Sequence, residues 1–285
     1  MDVVLGAAGH VGSAVAQTLL AQGRAVTVAL HTPTQARAWE RKGATVALVD
    51  VCDTPALTAV LAKARRAFVL NPPANPGVDT DAAERASARA IVAALQKVEL
   101  EKIVVQSTYG AQPGAQCADL GVLYELEQAV LALGTPCCLV RAAYYMSNWL
   151  PLVATATATG LLPSLIPAHL PVPMVAPQDV GRLGAHLLAA PVTQAGLYAI
   201  EGPSPYTPTD VATCLSLHTP HPVTVQAIPQ EQWKAYYLAN GFSQKAAMSY
   251  ATMTAIFTTQ AYARPQNPHK GATDLAGYFA QALAP

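Results

Sequence analysis

The residues with the clearest chemical potential stand at the start of the chain. Gly6-Ala7-Ala8-Gly9-His10-Val11-Gly12 follows a short apolar run, Val3-Val4-Leu5, and precedes an Ala- and Leu-rich amphipathic stretch. This is a glycine-rich turn between a strand and a helix, spaced GxxGxxG where the usual dinucleotide fingerprint reads GxGxxG. Gly6 permits the tight turn, Gly9 lets the backbone come up to a pyrophosphate, and Gly12 lets the helix pack closely on the sheet. The helix N-terminus adds amide donors for phosphate. A merely tight βα turn is the plainer reading, and the strand-before, helix-after context argues against it. His10 faces either a phosphate or solvent.

A second constellation follows the second strand. In proteins that prefer NAD(H), an acidic residue there accepts hydrogen bonds from the adenosine ribose. None stands in Leu30-His31-Thr32-Pro33-Thr34-Gln35-Ala36-Arg37. An imidazole, hydroxyls and a guanidinium at His31, Thr32 and Arg37 suit a 2′-phosphate instead, so the expected cofactor is NADP(H), with NAD(H) the alternative. The plainer reading leaves His31 and Arg37 as solvated surface. Asp50 ends the third strand, where it can meet the adenine edge or take part in helix capping with Asp53 and Thr54.

These groups need a scaffold that brings strand ends together. Up to residue 141, short β-branched runs alternate with amphipathic segments, the rhythm of βαβ units and a parallel sheet. Strands are expected at Val3–Leu5, Ala25–Leu30, Thr45–Val49, Ala67–Leu70, Ile103–Ser107 and Cys137–Val140. Helices are expected at Val11–Gln22, Thr34–Lys42, Pro55–Ala62, Asp79–Lys97 and Gly121–Leu133. Beyond Arg141 come Pro-rich loops, helices at Gln178–Ala190 and Pro208–Ser216, a strand near Val223–Ala227 and a helical stretch from Gln230 to about Tyr262. The expected architecture is α/β: a doubly wound parallel Rossmann sheet over 1–141 and a smaller, irregular α/β lobe over 142–285, with the chain re-entering the first domain around 174–200.

Composition narrows the function. Hydrophobic residues make up 52% and charged ones 12% of the 285 residues, so the chain buries more than it must solvate, and part of that surplus is expected to line a pocket or an interface. With 17 basic and 17 acidic residues, a nucleic-acid or membrane-surface footprint is not expected. From Ala142 to Gln178 there is no Asp, Glu, Lys or Arg, yet prolines, Asn148 and His169 break the run, which argues against a membrane span. The five scattered cysteines carry no CxxC spacing, so no metal site is expected, and they read as buried thiols in a reducing compartment. No charged leader precedes the first strand, and a cytoplasmic location is expected.

The order of motifs resembles the NmrA-like branch of the short-chain dehydrogenase/reductase superfamily over nearly the whole chain. The likeness rests on Gly6–Gly12, Phe68-Val69-Leu70-Asn71-Pro72-Pro73, Val104-Val105-Gln106-Ser107-Thr108-Tyr109-Gly110, Tyr124-Glu125-Leu126-Glu127, Leu139-Val140-Arg141, Tyr144-Tyr145-Met146-Ser147-Asn148, Val175-Ala176-Pro177-Gln178-Asp179-Val180-Gly181 and Gly202-Pro203. The resemblance implies an NADP(H)-binding protein, in a family divided between reductases of quinones or dyes and redox-sensing regulators. Cofactor positions are assigned at Gly6, Ala8, Gly9, His10, Val11 and Gly12, at His31, Thr32, Arg37, Asp50 and Val51, and at Asn71, Pro72, Pro73, Ser107, Thr108 and Leu123.

One departure matters. Many related proteins carry a lysine four residues before the glutamate matching Glu127, and here that residue is Leu123. The Tyr-x-x-x-Lys device that lowers a tyrosine's pKa is absent, which disfavours alcohol dehydrogenation. Hydride transfer to a quinone-like or other aromatic acceptor needs mainly the orientation of two flat rings. Tyr109 is the candidate catalytic residue and also a substrate contact, with Tyr144, Tyr145, Met146 and Trp149 as an apolar wall. Ordinary core packing is the alternative for that wall. Asn148 either touches substrate or anchors its loop. Two function classes stay open: a reductase of a small aromatic acceptor, or a catalytically silent NADP(H) sensor acting through a regulatory protein partner. A homodimer is compatible with either.

Overall fold

Chains of β-branched residues pair where both faces can be buried, and the first half supplies six such runs. The computed structural model describes residues 1–284. In chain order, β1 (Asp2–Val4), α1 (His10–Ala21), β2 (Val26–Leu30), α2 (Ala36–Arg41), β3 (Thr45–Leu48), α3 (Thr54–Leu61), β4 (Arg66–Val69), α4 (Thr80–Leu95), β5 (Lys102–Thr108), α5 (Asp119–Leu131) and β6 (Cys137–Ala142) form the alternating half. The second half holds β7 (Tyr144–Tyr145), α6 (Val153–Thr159), β8 (Leu161–Ser164), β9 (Val172–Val175), α7 (Pro177–Ala189), β10 (Gly196–Glu201), β11 (Pro205–Tyr206), α8 (Pro208–Ser216), β12 (Thr224–Ala227), α9 (Trp233–Ala239), α10 (Gln244–Thr259), β13 (His269–Lys270) and α11 (Leu275–Ala282).

Eight strands form one parallel sheet in the order β13-β10-β6-β5-β4-β1-β2-β3. Strand alternation divides its core into two layers. Val4, Phe68, Val104, Cys138 and Val140 face α1 and α7, while Val3, Ile103, Val105, Cys137 and Leu139 face α3, α4 and α5. Cys137 and Cys138 thus lie on opposite faces, as their adjacency requires. The thiols differ from expectation elsewhere, because Cys52 is exposed and Cys214 half-buried. Cys52 sits in the turn after β3, where its N–H donates to Asp50 Oδ1 at 2.9 Å.

Three parts of the second half join the large sheet: α7 on one face, and β10 and β13 at the edge. Gly181 makes the α7 approach possible, since a Cβ there would stand 2.5 Å from the Ala14 Cβ and 2.6 Å from the Val11 carbonyl oxygen. Arg66 and the fully buried Lys102 donate to the last carbonyls of α7 and to Pro191. They satisfy groups that a helix end leaves without partners.

β7, β8, β9, β11, β12, α6, α8 and α11 contribute to a separate core around Met146, Trp149, Leu162, Met174, Leu215 and Phe279, whereas α9 packs on α10 and α10 touches α4. The single helical stretch expected from Gln230 to Tyr262 is instead a 3-10 turn, α9 and α10, broken at Gly241, whose φ is +84°. The Thr34–Lys42 segment likewise starts as a 3-10 turn at Pro33–Gln35 before α2. Among the described residues no helix is long and apolar enough to cross a membrane.

Candidate functional site

Strand order reverses between β4-β1 and β1-β2, and in open α/β sheets the crevice at the carboxyl ends of such strands is where ligands bind. The Gly6–Gly12 loop stands there. Gly6 has φ +72°, the left-handed region that favours glycine. A Cβ on Gly12 would fall 2.3 Å from the Gly6 carbonyl oxygen, so Gly12 holds α1 against the loop. Gly9 is different. A Cβ there meets only the Gly6 oxygen, at an ordinary 3.5 Å, and its φ is −95°. Nothing inside the chain demands glycine at 9, so the open space above it is free for a ligand. Val11 turns its side chain into the α1 core, leaving its backbone to the loop.

Beside the loop lies a cavity of about 290 Å³ lined by Ala8, Gly9, His10, Ser13, Gln17, Gln35, Ala38, Trp39 and Lys42. Gln35 Nε2 reaches the Ala8 carbonyl at 3.4 Å, and Lys42 Nζ sits 4.8 Å from the centre of the buried Trp39 ring. His31, Thr32 and Arg37 are exposed and outside this lining; Thr32 is occupied with Thr34 at 3.4 Å. Gln17 and Lys42 were not singled out in the sequence, because α1 and the residue after α2 meet only in the fold.

At the end of β4, Asn71 is buried and its amide is spent locally. Its Nδ2 donates to the Glu84 carbonyl at 3.1 Å, and its Oδ1 accepts from Ser87 Oγ at 2.7 Å. Pro72 is half-buried and Pro73 exposed, which leaves them on the open edge. Val51 is half-buried beside Asp50 in the turn after β3.

At the end of β5, Ser107 donates to Glu127 Oε1 at 2.5 Å, and Arg141 grips both oxygens of that fully buried carboxylate at 2.8 and 2.6 Å. This staple joins β5, α5 and β6. Leu123 lies inside the apolar layer beneath α5 and presents no polar group to the crevice. Thr108 is half-buried, its hydroxyl donating to the Tyr109 carbonyl at 3.2 Å.

Tyr109 packs among Val140, Ala142 and Ile200, and its hydroxyl donates to Glu201 Oε2 at 3.3 Å. Burial first, and the Glu201 charge second, raise its phenol well above the ordinary value of 10, so it holds its proton firmly. The expected aromatic wall divides. Tyr144 lies 5.3 Å from Phe257 and 5.9 Å from Trp149, while Tyr145 accepts from Gln106 Nε2 at 2.8 Å. Met146 and Trp149 are 0% and 2% exposed, core residues of the second lobe and no wall of an open pocket. Asn148 is exposed, with its amide toward the Tyr144 hydroxyl. Phe257 and Tyr262, parallel within 8° at 6.2 Å, complete the aromatic face and were not singled out in the sequence. Among the described residues no cluster of ligating side chains could hold a metal.

The NmrA-like family model matches residues 3–278. Similar solved structures include the triphenylmethane reductase of Citrobacter sp., at 18% identity, 99% coverage of each chain and a TM-score of 0.81. The NADPH-dependent quinone oxidoreductase of Escherichia coli, solved with NADPH, matches at 19% identity, 99% coverage of each chain and 0.78. Nmra, a negative transcriptional regulator, matches at 16% identity, 92% coverage of each chain and 0.63. At these identities the likeness is one of fold. No curated protein sequence matches the chain.

Proposed function

The chain belongs to the NmrA-like family, and from that membership we propose that it is an NADP(H)-binding reductase passing hydride from NADPH to a small quinone-like or aromatic acceptor. The observation that carries the cofactor half is Gly9, a glycine with room for a side chain and no internal reason to lack one. The pyrophosphate would lie over Gly9 and the α1 N-terminus. The adenosine end would extend toward the cavity beside the loop, where Lys42 and Gln35 are part of the lining and so suit a 2′-phosphate better than His31, Thr32 and Arg37, which lie outside it. The cofactor supplies the hydride; the protein's task is to hold the two rings face to face and exclude water. Asn71 fixes the edge on which Pro72 and Pro73 would meet the nicotinamide half.

Tyr109 is better suited to shaping this site than to supplying a proton, because its hydroxyl is engaged by Glu201 and its phenol is held far from ionisation. A quinone product can take its proton from water. The sensor reading keeps one specific support, the apolar Leu123 where an activating lysine would stand. Steady-state NADPH oxidation with a panel of quinones and dyes separates the two: turnover supports the reductase, and tight NADPH binding with no turnover of any acceptor supports the sensor. For either function the site is expected to act in a reducing cytoplasm.

A further inference from the structure

Two tyrosines stand at the carboxyl edge of β5 and β6 in opposite hydrogen-bonding states. Tyr109 spends its phenol proton on Glu201 Oε2 at 3.3 Å. Tyr145, half-buried and just past the end of β6, packs on the same apolar layer as Tyr109, Ala142 and Ala143. Its position is fixed at both ends. The backbone pairs with Val175 of β9, and the hydroxyl is met from β5, where Gln106 Nε2 donates to it at 2.8 Å. The direction of that bond follows from a third group. The same Nε2 lies 2.9 Å from the Ser107 carbonyl, which can only accept, so this end of the Gln106 amide is the nitrogen. Turned over, the amide would set its oxygen against that carbonyl. The Tyr145 oxygen therefore accepts and its own proton is left to give, and among the described residues no acceptor takes it.

We propose that Tyr145 is a catalytic residue that donates its phenol hydrogen bond to the carbonyl oxygen of a quinone acceptor, with Gln106 as the positioning residue that turns the proton outward. This rests on the reductase reading above and gives Tyr145 a polar task in place of an apolar wall. Hydride from NADPH carries two electrons to the quinone, leaving NADP+ and the hydroquinone monoanion. Negative charge develops on the oxygen that Tyr145 meets, so a donor already in place binds the transition state more strongly than the quinone. That oxygen then takes a proton from water, and Tyr145 keeps its own. A triphenylmethane dye supplies the contrast, because hydride neutralises its carbocation and no oxygen gains charge.

The test compares 1,4-naphthoquinone with malachite green, a cationic triphenylmethane dye, in wild type, Tyr145→Phe and Gln106→Met, with NADPH saturating. Tyr145→Phe keeps the ring and removes only the O–H. Its kcat/KM ratio of quinone to dye should fall about 10–100-fold, the range for losing one donor to a developing charge, with NADPH affinity unchanged. Gln106→Met should lower the ratio by less, since the phenol stays but is free to turn. An unchanged ratio in Tyr145→Phe, including equal slowing of both acceptors, overturns the proposal, and so does a loss confined to NADPH binding. An unchanged ratio in Gln106→Met alone overturns the positioning role.

Binding of 4-nitrophenolate to the NADP+-loaded protein is measured alongside. It carries the oxygen charge of the product with no hydride to transfer, and its visible absorption moves to shorter wavelength when that oxygen accepts a hydrogen bond. Tyr145→Phe should bind it about tenfold more weakly and lose the shift seen with wild type. If neither acceptor is reduced yet this difference holds, the reductase reading fails and the Tyr145 donor stands. If affinity and absorption are the same in wild type and variant, the donor fails whatever the turnover.

Discussion

The loop that would carry the nicotinamide end of the cofactor is tied down by a carboxyl group that should be protonated at neutral pH. Glu84, on α4 and 3% exposed, accepts the Ala74 N–H at 2.9 Å through Oε1, and its backbone carbonyl accepts from Asn71. Its carboxyl shares a hydrogen bond with that of Asp119 at the start of α5. Asp81 and Tyr250 also face the pair, and Arg85 is drawn away to Asp81 at 3.5 Å and Glu125 at 2.9 Å. Burial first, and the Asp119 charge second, push Glu84 from 4.5 up to about 8, while burial raises Asp119 as well. Two carboxylates this close, with Glu84 buried, resist ionising together, so the pair keeps one proton.

The sign follows from linkage. An acid whose folded value exceeds its unfolded value binds more protons in the folded state between the two, and stability falls as pH rises through that window. Stability is fully present below pH 4.5, is lost between there and about 8, and stays low above. At 1.36 kcal/mol per tenfold change, the loss is on the order of 3–5 kcal/mol, with the coupled Asp119 blurring the upper figure. Glu84→Gln keeps an acceptor for Ala74 and gains a donor for Asp119, while removing the titration. Urea unfolding at pH 5, 7 and 9 should show the wild type weakening with pH and the variant nearly flat, so that the variant is the more stable protein at pH 9. A variant whose stability declines in parallel with the wild type would refute the assignment of the proton to this pair.

Three further outcomes are expected. Gly9→Val should unfold within about 1 kcal/mol of wild type, because the added carbon meets open space, yet it should lose NADPH affinity by roughly 100-fold or more as it fills the pyrophosphate seat, read by calorimetric titration. Lys42→Gln should weaken NADPH by about tenfold while leaving NADH within twofold, a split that would be missing if the 2′-phosphate were read at His31, Thr32 and Arg37. Tyr109→Phe should keep quinone turnover within about tenfold of wild type, below the 10²–10⁴ typical of a lost general acid, and Tyr109→Ala should lose more because the ring goes too; equal inactivity of both, with NADPH still bound, would make the hydroxyl an essential acid.

What could be read in advance, and what could not, divides by how local the physics is. The glycine loop was legible because its constraints act within seven residues: a left-handed turn at Gly6 and a carbonyl pressed against Gly12. The first six strands were legible because each β-branched run satisfies both faces of a buried sheet on its own. β10 was not, since Gly196–Glu201 reads as an ordinary mixed segment and becomes a strand only by pairing with β6, some sixty residues earlier in the chain. The same holds more strongly for the site. Leu123 could be recognised as a missing lysine from a motif, but Glu201 and Lys270 come to Tyr109, and Tyr262 to its neighbour Gly110, from 90 or more residues away. Asn148 and Trp149 mark the opposite error: adjacent in the sequence, one is exposed and the other 2% accessible, because a 3-10 turn at Met146–Leu152 points them apart. Motif reading therefore reaches the half of the candidate site where a dinucleotide would lie. The half that would meet an acceptor is built from side chains whose only common property is where the fold leaves them, and no motif within one stretch of chain marks them.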